Sequence, residues 1–419
     1  MLTALSTALS ALNAQSVAID VVGNNLANLN TTGYKSDSTQ FFDLVSQTIG
    51  GGAATQIGMG VGTPLTKRVF SQGSIQSSSS ALDVAIQGDG FLIVKDASNA
   101  SLYTRAGNLK VDGNGVLTTA TGQYVQGWSS VNGSLNTTAG IGNITVPVGS
   151  LKPAVATQNM SITANLDSTS TVVPPASQTA SNASFSTAVQ LFDSLGTSHL
   201  VTLNFWNNGA NSWNWNATIP SGDVTNPAAN SPIGSGTLTF NGNGILTTPA
   251  TPKPQLNITR LSDSANDMTI SLDWYKGTTP LITQFAQQSA SSANSQDGSP
   301  SAQLTHVGLG DGGLVLAQYS DGQQTTVGQL AMANFVNPDS LLAVGNNNYQ
   351  VTGKTSNPTI GAAATGGRGQ ILGGSLESST VDIATEFTSL MIDQRAYQAN
   401  SKVITSADQI SQDTINLIR

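Results

Sequence analysis

Residues 1–29 read MLTALSTALSALNAQSVAIDVVGNNLANL, a stretch with no proline and a single charged side chain, Asp20. Large aliphatic side chains recur in it at a seven-residue step, with a second row beside the first: Leu5, Leu12, Ile19 and Leu26, then Leu2 and Leu9. This period is helical, and a seven-residue step favours packing along another long helix. The sequence therefore predicts a long N-terminal helix that ends in the Asn-rich segment 28–33.

The opposite end of the chain has the same texture. Residues 375–419 contain neither glycine nor proline, and apolar side chains again keep a seven-residue step that Ser411 interrupts: Ile383, Leu390, Tyr397, Ile404 and Ile418, with a second row of Val403, Ile410 and Leu417. Both glutamates, Glu377 and Glu386, stand near the expected helix start and Arg419 ends it, which complements the helix dipole. We expect end helices of about 40 and 60 Å that form a coiled-coil pair.

Each end helix has one apolar face, and a solitary helix of this kind gains stability only when that face is covered. We predict that the two helices cover each other and leave apolar rows for neighbouring copies, so that Leu12→Asp or Ile404→Asp abolishes polymerisation. An intramolecular helical hairpin folded against the rest of the chain is the alternative. The predicted polymerisation interface comprises Leu5, Leu9, Leu12, Ile19, Leu26, Ile383, Leu390, Tyr397, Ile404, Ile410, Leu417 and Ile418.

Between the ends the pattern is that of β-structure. Short alternating runs, such as LDVAIQ (82–87), FLIV (91–94) and VTLNF (201–205), are separated by glycine-containing turns. The turns GDG (88–90), DGNG (112–115) and NGNG (241–244) supply the positive φ angles that tight hairpins need. The fold class predicted is mainly β, with terminal helices and nested β domains.

Ser/Thr/Pro-rich stretches at 167–184 and 289–301 indicate connectors around a block that holds four of the five tryptophans. This texture favours one domain inserted into a loop of another. The predicted layout is a helical domain of 1–30 and 376–419, an extended connector of 31–71, a discontinuous β domain of 72–150 and 300–375, and an inserted β domain of 151–299.

Composition excludes several classes of protein. Charged residues are 9% of the 419 and the net charge is −8, whereas soluble domains average about 25% charged residues. Nucleic-acid binding is not expected without a Lys/Arg cluster. The absence of cysteine excludes disulfides and thiolate metal sites. We expect no cleaved signal peptide, because Lys35 is the first basic residue, and no membrane insertion, because no run of about 18 apolar residues occurs.

Candidate catalytic or ligand-binding residues are few. His199 and His306 are isolated in sequence, and we expect both to be surface or strand histidines rather than ligands. Gly308, Gly310 and Gly313 spell GxGxxG, but a strand-like run follows, which favours a turn over a phosphate site. The segment 204–216 holds Trp206, Trp213 and Trp215; core packing or an intersubunit contact is favoured, and sugar stacking is the alternative. We expect no enzyme, no cofactor and no metal.

Several segments resemble the bacterial flagellar axial family of rod and hook subunits. They are VVGNNLANLNTTGYKS (21–36), ALDVAIQGDGFLIV (81–94), YTRAGNLKVDGNGVL (103–117), VGQLAMANFVNPDSLLAVGNNNYQVT (327–352) and LESSTVDIATEFTSLMIDQRAYQANSKVI (376–404). Within these segments the family motif residues are Asn24, Asn25, Asn28, Gly33, Tyr34, Gly88, Gly90 and Phe91. The chain length and the inserted block with TFNGNGIL (239–246) are similar to the hook subunits of the family, since its rod subunits have a smaller centre.

The resemblance implies a structural subunit of a helical homopolymer, the curved tubular hook that joins rod to filament and transmits torque. It implies terminal helices in an inner tube, and β domains outside. Its partners would be rod subunits on the proximal side, a hook cap, hook–filament junction proteins and the flagellar export apparatus, which would export it without a cleaved signal. A distal rod subunit and a secreted carbohydrate-binding or adhesin protein are the alternatives.

Overall fold

A computed structural model describes residues 2–44, 47–48, 56–131, 134–249 and 253–417. The chain forms two compact units. Unit 1 comprises 1–148, 306–318 and 324–419, and unit 2 comprises 149–305 and 319–323. The chain is mainly β with a helix near each end, so the predicted fold class, with a β unit inserted into another, is confirmed. The finer domain bounds drawn from sequence stay a prediction.

Two long helices belong to unit 1: α1, Leu2–Ala27, and α2, Ile383–Leu417. With 26 and 35 residues they are about 39 and 52 Å long. The expected start of the second helical segment at 376 is wrong for the helix itself, because Ser375–Glu377 pairs as a strand with Ile75–Ser77. Asp382 begins α2 instead, since its Oδ1 accepts the Thr385 N–H at 2.8 Å as an N-cap.

The sheet at the centre of unit 1 is antiparallel. Its strands run in the order Gln324–Leu330, Tyr124–Val131, Phe91–Lys95, Ser101–Thr104, Asn348–Gln350, Leu342–Gly345. The other strands of this unit are Asp37–Gln40, Gln47–Thr48, Gln56–Ile57, Leu65–Arg68, Ile75–Ser77, Val84–Gln87, Leu109–Val111, Leu117–Thr119, Ser134–Leu135, Gly142–Asn143, Met332–Asn334, Thr359–Gly361, Gln370–Gly373 and Ser375–Glu377. Segment 31–71, expected to be an extended connector, contains paired strands, because Asp37–Gln40 pairs with Leu65–Arg68.

Two five-stranded sheets form most of unit 2. One is a meander of Phe185–Phe192, Ser198–Gly209, Ser212–Thr218, Gly234–Phe240 and Leu246–Thr248; the other contains Asn159–Asp167, Gln255–Ile258, Met268–Asp273, Ile282–Phe285 and Ala290–Gln296. Side chains from both sheets form one apolar core. The remaining strands of unit 2 are Leu151–Lys152, Tyr275–Lys276 and Thr279–Pro280, and the strands Ala302–Leu309 and Leu314–Tyr319 have residues in both units. The short 3-10 helices of unit 2 are Pro175–Ser177, Ala180–Asn182, Ser221–Asp223 and Pro227–Asn230. Those of unit 1 are Asp311–Gly313 and Pro338–Ser340.

The tryptophans of unit 2 are buried, and three of them, Trp213, Trp215 and Trp274, lie in its apolar core. Trp213 and Trp215 alternate with polar residues along their strand and are 0% and 2% exposed, and Trp206 is 2% exposed. Trp274 comes from the other sheet and packs edge-on to Trp215, with ring centroids 5.5 Å apart. Because these rings are covered, they offer no face for stacking on a sugar.

The segments 308–313 and 289–301 test two further predictions from the sequence, a glycine turn and a connector. In GxGxxG at 308–313, Gly308 lies in the strand Ala302–Leu309 and Asp311–Gly313 forms one turn of 3-10 helix; the strand Leu314–Tyr319 follows, as predicted. The expectation of a connector at 289–301 is wrong, since Ala290–Gln296 pairs antiparallel with Asn159–Asp167. This strand is polar because most of its side chains are exposed, so side-chain polarity did not reveal the backbone pairing.

Candidate assembly interface

The helices α1 and α2 form an antiparallel pair. Near the C-terminus of α1, Asn25 contacts Glu386 in the first turn of α2. Near its N-terminus, Ala4 lines a groove with Ala407 and Ile410. The chain therefore covers one face of each helix by itself, which is the coiled-coil pairing predicted from the seven-residue steps.

Small residues form the α1 side of the seam between the helices. Ala8, Ala14, Ala18 and Val22 are all at least nine-tenths buried. The large aliphatic residues of the predicted row lie one helical position away from that seam. Leu12, Ile19 and Leu26 are half-buried at its edge, whereas Leu5 and Leu9 are exposed. Because alanines permit a close approach of two helix backbones, the small side chains are the most deeply buried apolar ones on α1.

On α2 the two predicted rows lie differently. Leu390 and Ile404 are half-buried on the seam side, and Ala407 is buried. Val403 and Ile410, from the second row, are 47% and 56% exposed. They line an apolar groove of about 570 Å³ with Ala4, Ala399, Lys402, Ser406 and Ala407.

Further apolar side chains of α2 are exposed: Ile383, Phe387, Met391, Ile392, Tyr397 and Ile415. Of the predicted interface residues, the side chain of Leu417 and the whole of Ile418 lie outside the described residues. The helix pair thus has a seam within the chain and an outer surface on which these apolar side chains are exposed.

A buried asparagine joins the end of α1 to the start of α2. Asn25 is 1% exposed; its Nδ2 donates to Glu386 Oε1 at 2.9 Å and to the Asp37 carbonyl at 2.8 Å, and its Oδ1 accepts the Asp37 N–H at 2.9 Å. Asn24 Nδ2 contacts the Tyr34 hydroxyl at 3.2 Å, and Asn28 Nδ2 donates back to the Asn24 carbonyl. The Asn-rich motif therefore ends α1 and locks it to α2 through side-chain amides.

Tyr34 lies against this junction. Burial first, and then the negative charge of Asp37, raise the pKa of its phenol to about 12. Burial also raises the pKa of Glu386, although the hydrogen bond from Asn25 opposes that shift. The surrounding protein thus shifts both the Tyr34 phenol and the Glu386 carboxyl towards the protonated form.

Tyr34 is expected to make the helix junction sensitive to alkali. In the unfolded chain the Tyr34 phenol ionises near pH 10, whereas in the folded protein it keeps its proton to about pH 12. The stability of the folded protein is therefore unaffected by this phenol below pH 10 and falls as the pH rises from 10 to 12, because only the unfolded chain releases the proton in that range. The wild type should lose about 2 kcal/mol more than Tyr34→Phe over that range. Urea titrations followed by circular dichroism at pH 9 to 12 measure the difference, with Tyr124→Phe as a control. Equal losses for wild type and Tyr34→Phe would contradict it.

A buried ionic cluster lies beside the same junction. Lys35 and Glu377 have fully buried side chains, with Nζ 2.6 Å from Oε1. The same Oε1 accepts the Gly73 N–H at 2.8 Å and Gln72 Nε2 at 2.9 Å, and Arg105 Nη1 is 3.5 Å from Oε2. Lys35 also donates to the Ser71 carbonyl at 2.6 Å. One carboxylate thus holds the chain after α1 to the strand that leads into α2, and sequence reasoning missed it because the partners are 342 residues apart.

The motif glycines make close contacts with this cluster. Gly33 has φ of +69°, its N–H donates to the Glu377 carbonyl, and a Cβ there would stand 2.7 Å from the Arg105 carbonyl oxygen. Gly88 and Gly90 also have positive φ, and the Gly88 carbonyl accepts from Arg105 Nη2 at 2.8 Å. Phe91 is buried, and the Arg105 guanidinium lies over its ring, with Arg105 Cζ 5.3 Å from the ring centroid. The motif residues therefore support the base of the helix pair.

Profiles of known protein families match both ends and the middle of the chain. Residues 5–35 match "Flagella basal body rod protein" and 372–417 match "Flagellar basal body rod FlgEFG protein C-terminal". Residues 85–165 match "Flagellar hook protein FlgE/F/G D1 domain", and 165–299 match "Flagellar basal body protein FlaE D2 domain".

Curated relatives match over the whole length. Flagellar hook protein FlgE of Borreliella burgdorferi is 31% identical, with all of both chains covered. Flagellar hook protein FlgE of Escherichia coli is 31% identical, over 99% of this chain and 100% of that protein. The chain belongs to the flagellar hook protein family.

A solved structure agrees in fold with this hook-family chain. The flagellar hook protein FlgE2 of Helicobacter pylori aligns with a TM-score of 0.53 over 72% of this chain and all of that one, at 15% identity. The family is one of structural proteins that assemble with themselves within the flagellar basal body and hook.

The N-terminal helix of this hook-family chain requires one further statement about membranes. Within the described residues, Ala4–Ala27 is long and apolar enough, by length and composition, to cross a bilayer. Helices that pack within soluble proteins meet the same criterion, and here one face of α1 is covered by α2. That this chain does not insert into a membrane stays a prediction.

Proposed function

We propose that this chain is the structural subunit of a flagellar hook, a curved tube that bends while it transmits torque from rod to filament. The observation that carries the proposal is full-length similarity to hook proteins together with a helix pair whose outer face is apolar and uncovered. The chain acts by assembly rather than by catalysis.

The apolar outer face explains how copies would associate. Leu9, Val403 and Ile410 are each about half exposed, and burial of apolar area stabilises association by roughly 25 cal/mol per Å². A seam of small residues keeps the two helices of one copy together, so the larger side chains are left for contacts between copies. We assign the interface to the residues predicted from the sequence, with Val403 added to them.

The finer setting follows from membership of the family. We propose that rod subunits lie on the proximal side of the polymer, that a hook cap guides its growth, and that hook–filament junction proteins follow. We also propose that the flagellar export apparatus delivers the chain outside the cell without a cleaved signal peptide. A distal rod subunit remains the alternative within the family, and the inserted unit 2 argues against it.

Other functional classes have less support. The tryptophans that would serve a carbohydrate-binding or adhesin protein are buried within unit 2. An enzyme would need positioned acids, bases or nucleophiles around a cleft, and the groove on the helix pair has a mostly apolar lining. Self-assembly is the function that these features support.

The test is the shape of the polymer. Purified protein, concentrated and examined by electron microscopy, is expected to form curved tubes. A variant without 1–27 and 383–419 is the matched control, since it keeps the Lys35–Glu377 pair. It should remain monomeric, because it lacks the helix pair. Straight tubes would favour the rod alternative. The proposal would be refuted if the intact chain formed no polymer although circular dichroism showed that it was folded.

A further inference from the structure

Unit 2 contains a cluster of titratable side chains around His199. This histidine lies in the strand Ser198–Gly209 and is 3% exposed. Its Nδ1 is 3.1 Å from Asp223 Oδ2, and its Nε2 is 3.1 Å from Asp193 Oδ2. The expectation of a strand histidine is correct. The sequence spacing did not show that carboxylates contact both ring nitrogens, one from the preceding turn and one from 24 residues further along the chain.

The turn before the histidine fixes one of those carboxylates. Asp193 Oδ1 accepts the backbone N–H groups of Leu195 and Thr197, at 2.8 and 2.9 Å. These two hydrogen bonds occupy one oxygen and orient the other, Oδ2, towards His199. Asp193 is fully buried, so its free oxygen has little access to water.

Asp263 completes the cluster from a different sheet. It lies in the loop between Gln255–Ile258 and Met268–Asp273, whereas Asp193 and His199 belong to the meander. Its Oδ1 accepts the Ala265 N–H at 3.1 Å, while its Oδ2 is buried and accepts no hydrogen bond from the described residues.

A buried carboxylate oxygen without a partner is costly, and a second carboxylate beside it increases that cost. One ligand atom from each of Asp193, His199 and Asp263 lies within 4.8 Å of the others. If Nδ1–H donates to Asp223, the Nε2 lone pair is directed at the two other carboxylates. A histidine that is oriented by a carboxylate on one nitrogen and presents the other nitrogen is the usual arrangement of a metal-binding imidazole.

We propose that Asp193, His199 and Asp263 bind one divalent transition-metal ion, with Asp223 as the residue that positions His199. Zinc fits best, because it accepts imidazole nitrogen and carboxylate oxygen at about 2.0–2.2 Å, and two ligand atoms 3.1 Å apart can share such an ion. A water would complete the coordination. The ion would link the turn at 193–199 to the loop around Asp263 and so join the two sheets of unit 2.

The test uses the full chain, first treated with chelator and then titrated with Zn²⁺ by calorimetry. Wild type is expected to bind one ion per chain and to show a raised melting temperature. Asp263→Asn, which keeps the side-chain shape, should lose this binding, and Asp223→Asn should weaken it by about 10–100-fold. Asp167→Asn and His306→Gln, in which a distant carboxylate and the other histidine are changed, should bind as the wild type does.

Co²⁺ substitution provides an independent readout, since the visible absorption of bound Co²⁺ depends on its nitrogen and oxygen ligands. The absorption of bound Co²⁺ should appear in the wild type and be absent in Asp263→Asn. Equal Zn²⁺ binding by Asp263→Asn and wild type, or loss of binding in His306→Gln alone, would overturn the proposal. So would nitrogen NMR of metal-treated wild type that showed both His199 nitrogens protonated, because a proton rather than a metal would then neutralise the carboxylates.

Discussion

Replacing Glu377 with Gln is expected to destabilise unit 1 by about 3–5 kcal/mol, because it leaves a buried lysine without its anion. The side chains of Lys35 and Glu377 are both 0% exposed. Gln keeps the size of Glu and an oxygen that can accept the Gly73 N–H, so the change removes the charge and little else. Urea denaturation of the monomer, followed by circular dichroism, measures the loss.

An exposed ion pair of unit 1 provides the control. Lys67 Nζ is 2.9 Å from Asp339 Oδ2, with side chains 50% and 40% exposed. Asp339→Asn should change the free energy of unfolding by no more than about 0.5 kcal/mol, since solvent already screens that pair. A loss in Glu377→Gln as small as that in Asp339→Asn would contradict the assigned role of the buried cluster.

The pH dependence of Glu377→Gln separates a lost charge from lost packing. Burial first, and then Arg105, already lower the pKa of Lys35, whereas Glu377 opposes both effects. Without Glu377 the folded protein favours neutral Lys35 still more, so Glu377→Gln should regain stability relative to wild type as pH rises towards 10. Adding Lys35→Met to it should recover part of the loss at neutral pH. A deficit that is independent of pH would indicate a packing defect instead.

The helices could be predicted from the sequence, but their seam could not. Large aliphatic residues at a seven-residue step identify a helix that needs a partner, and α1 and α2 are that pair. The row with Leu5 and Leu12 lies one position from the seam, which Ala8, Ala14 and Ala18 occupy. A pattern of hydrophobic residues weights large side chains, whereas close packing of two helix backbones selects small ones.

Strands were predictable where alternation carried the signal. The alternating burial of Ser212–Thr218 places Trp213 and Trp215 in the core. Alternation fails for Ala290–Gln296, because that polar strand is held by backbone hydrogen bonds to Asn159–Asp167 and most of its side chains remain exposed.

Contacts between distant residues were beyond the sequence. The Lys35–Glu377 pair and the Asn25–Glu386 contact join residues more than 300 positions apart. His199 looked isolated because Asp223 and Asp263 reach it from other loops. Composition and periodicity describe a segment and its neighbours, so the polar centres of this protein appear only once the topology is known.

Leu9→Asp and Ile410→Asp are expected to block assembly while they leave the monomer folded. Both side chains are more than half exposed in the single chain, at 52% and 56%, so either change should alter monomer stability by less than about 1 kcal/mol. Buried in a contact between copies, the new carboxylate would cost about 3 kcal/mol or more, which raises the critical concentration for polymerisation by about 100-fold. These sites are better than Leu12 and Ile404, which are half-buried within the pair and would confound folding with assembly.

Asn13→Asp is the matched control, because it adds the same charge to the polar face of α1, seven residues before Asp20. It should assemble at the wild-type concentration in a sedimentation assay.

Ala18→Leu examines the seam itself: overpacking between the helices should destabilise the monomer by about 1–3 kcal/mol, a loss that Leu9→Asp does not share. If Leu9→Asp and Ile410→Asp polymerise as wild type does, the outer apolar rows are not the contact between copies. If instead both unfold the helix pair, these side chains support the fold of one chain, and the assembly surface must lie elsewhere on unit 1 or unit 2.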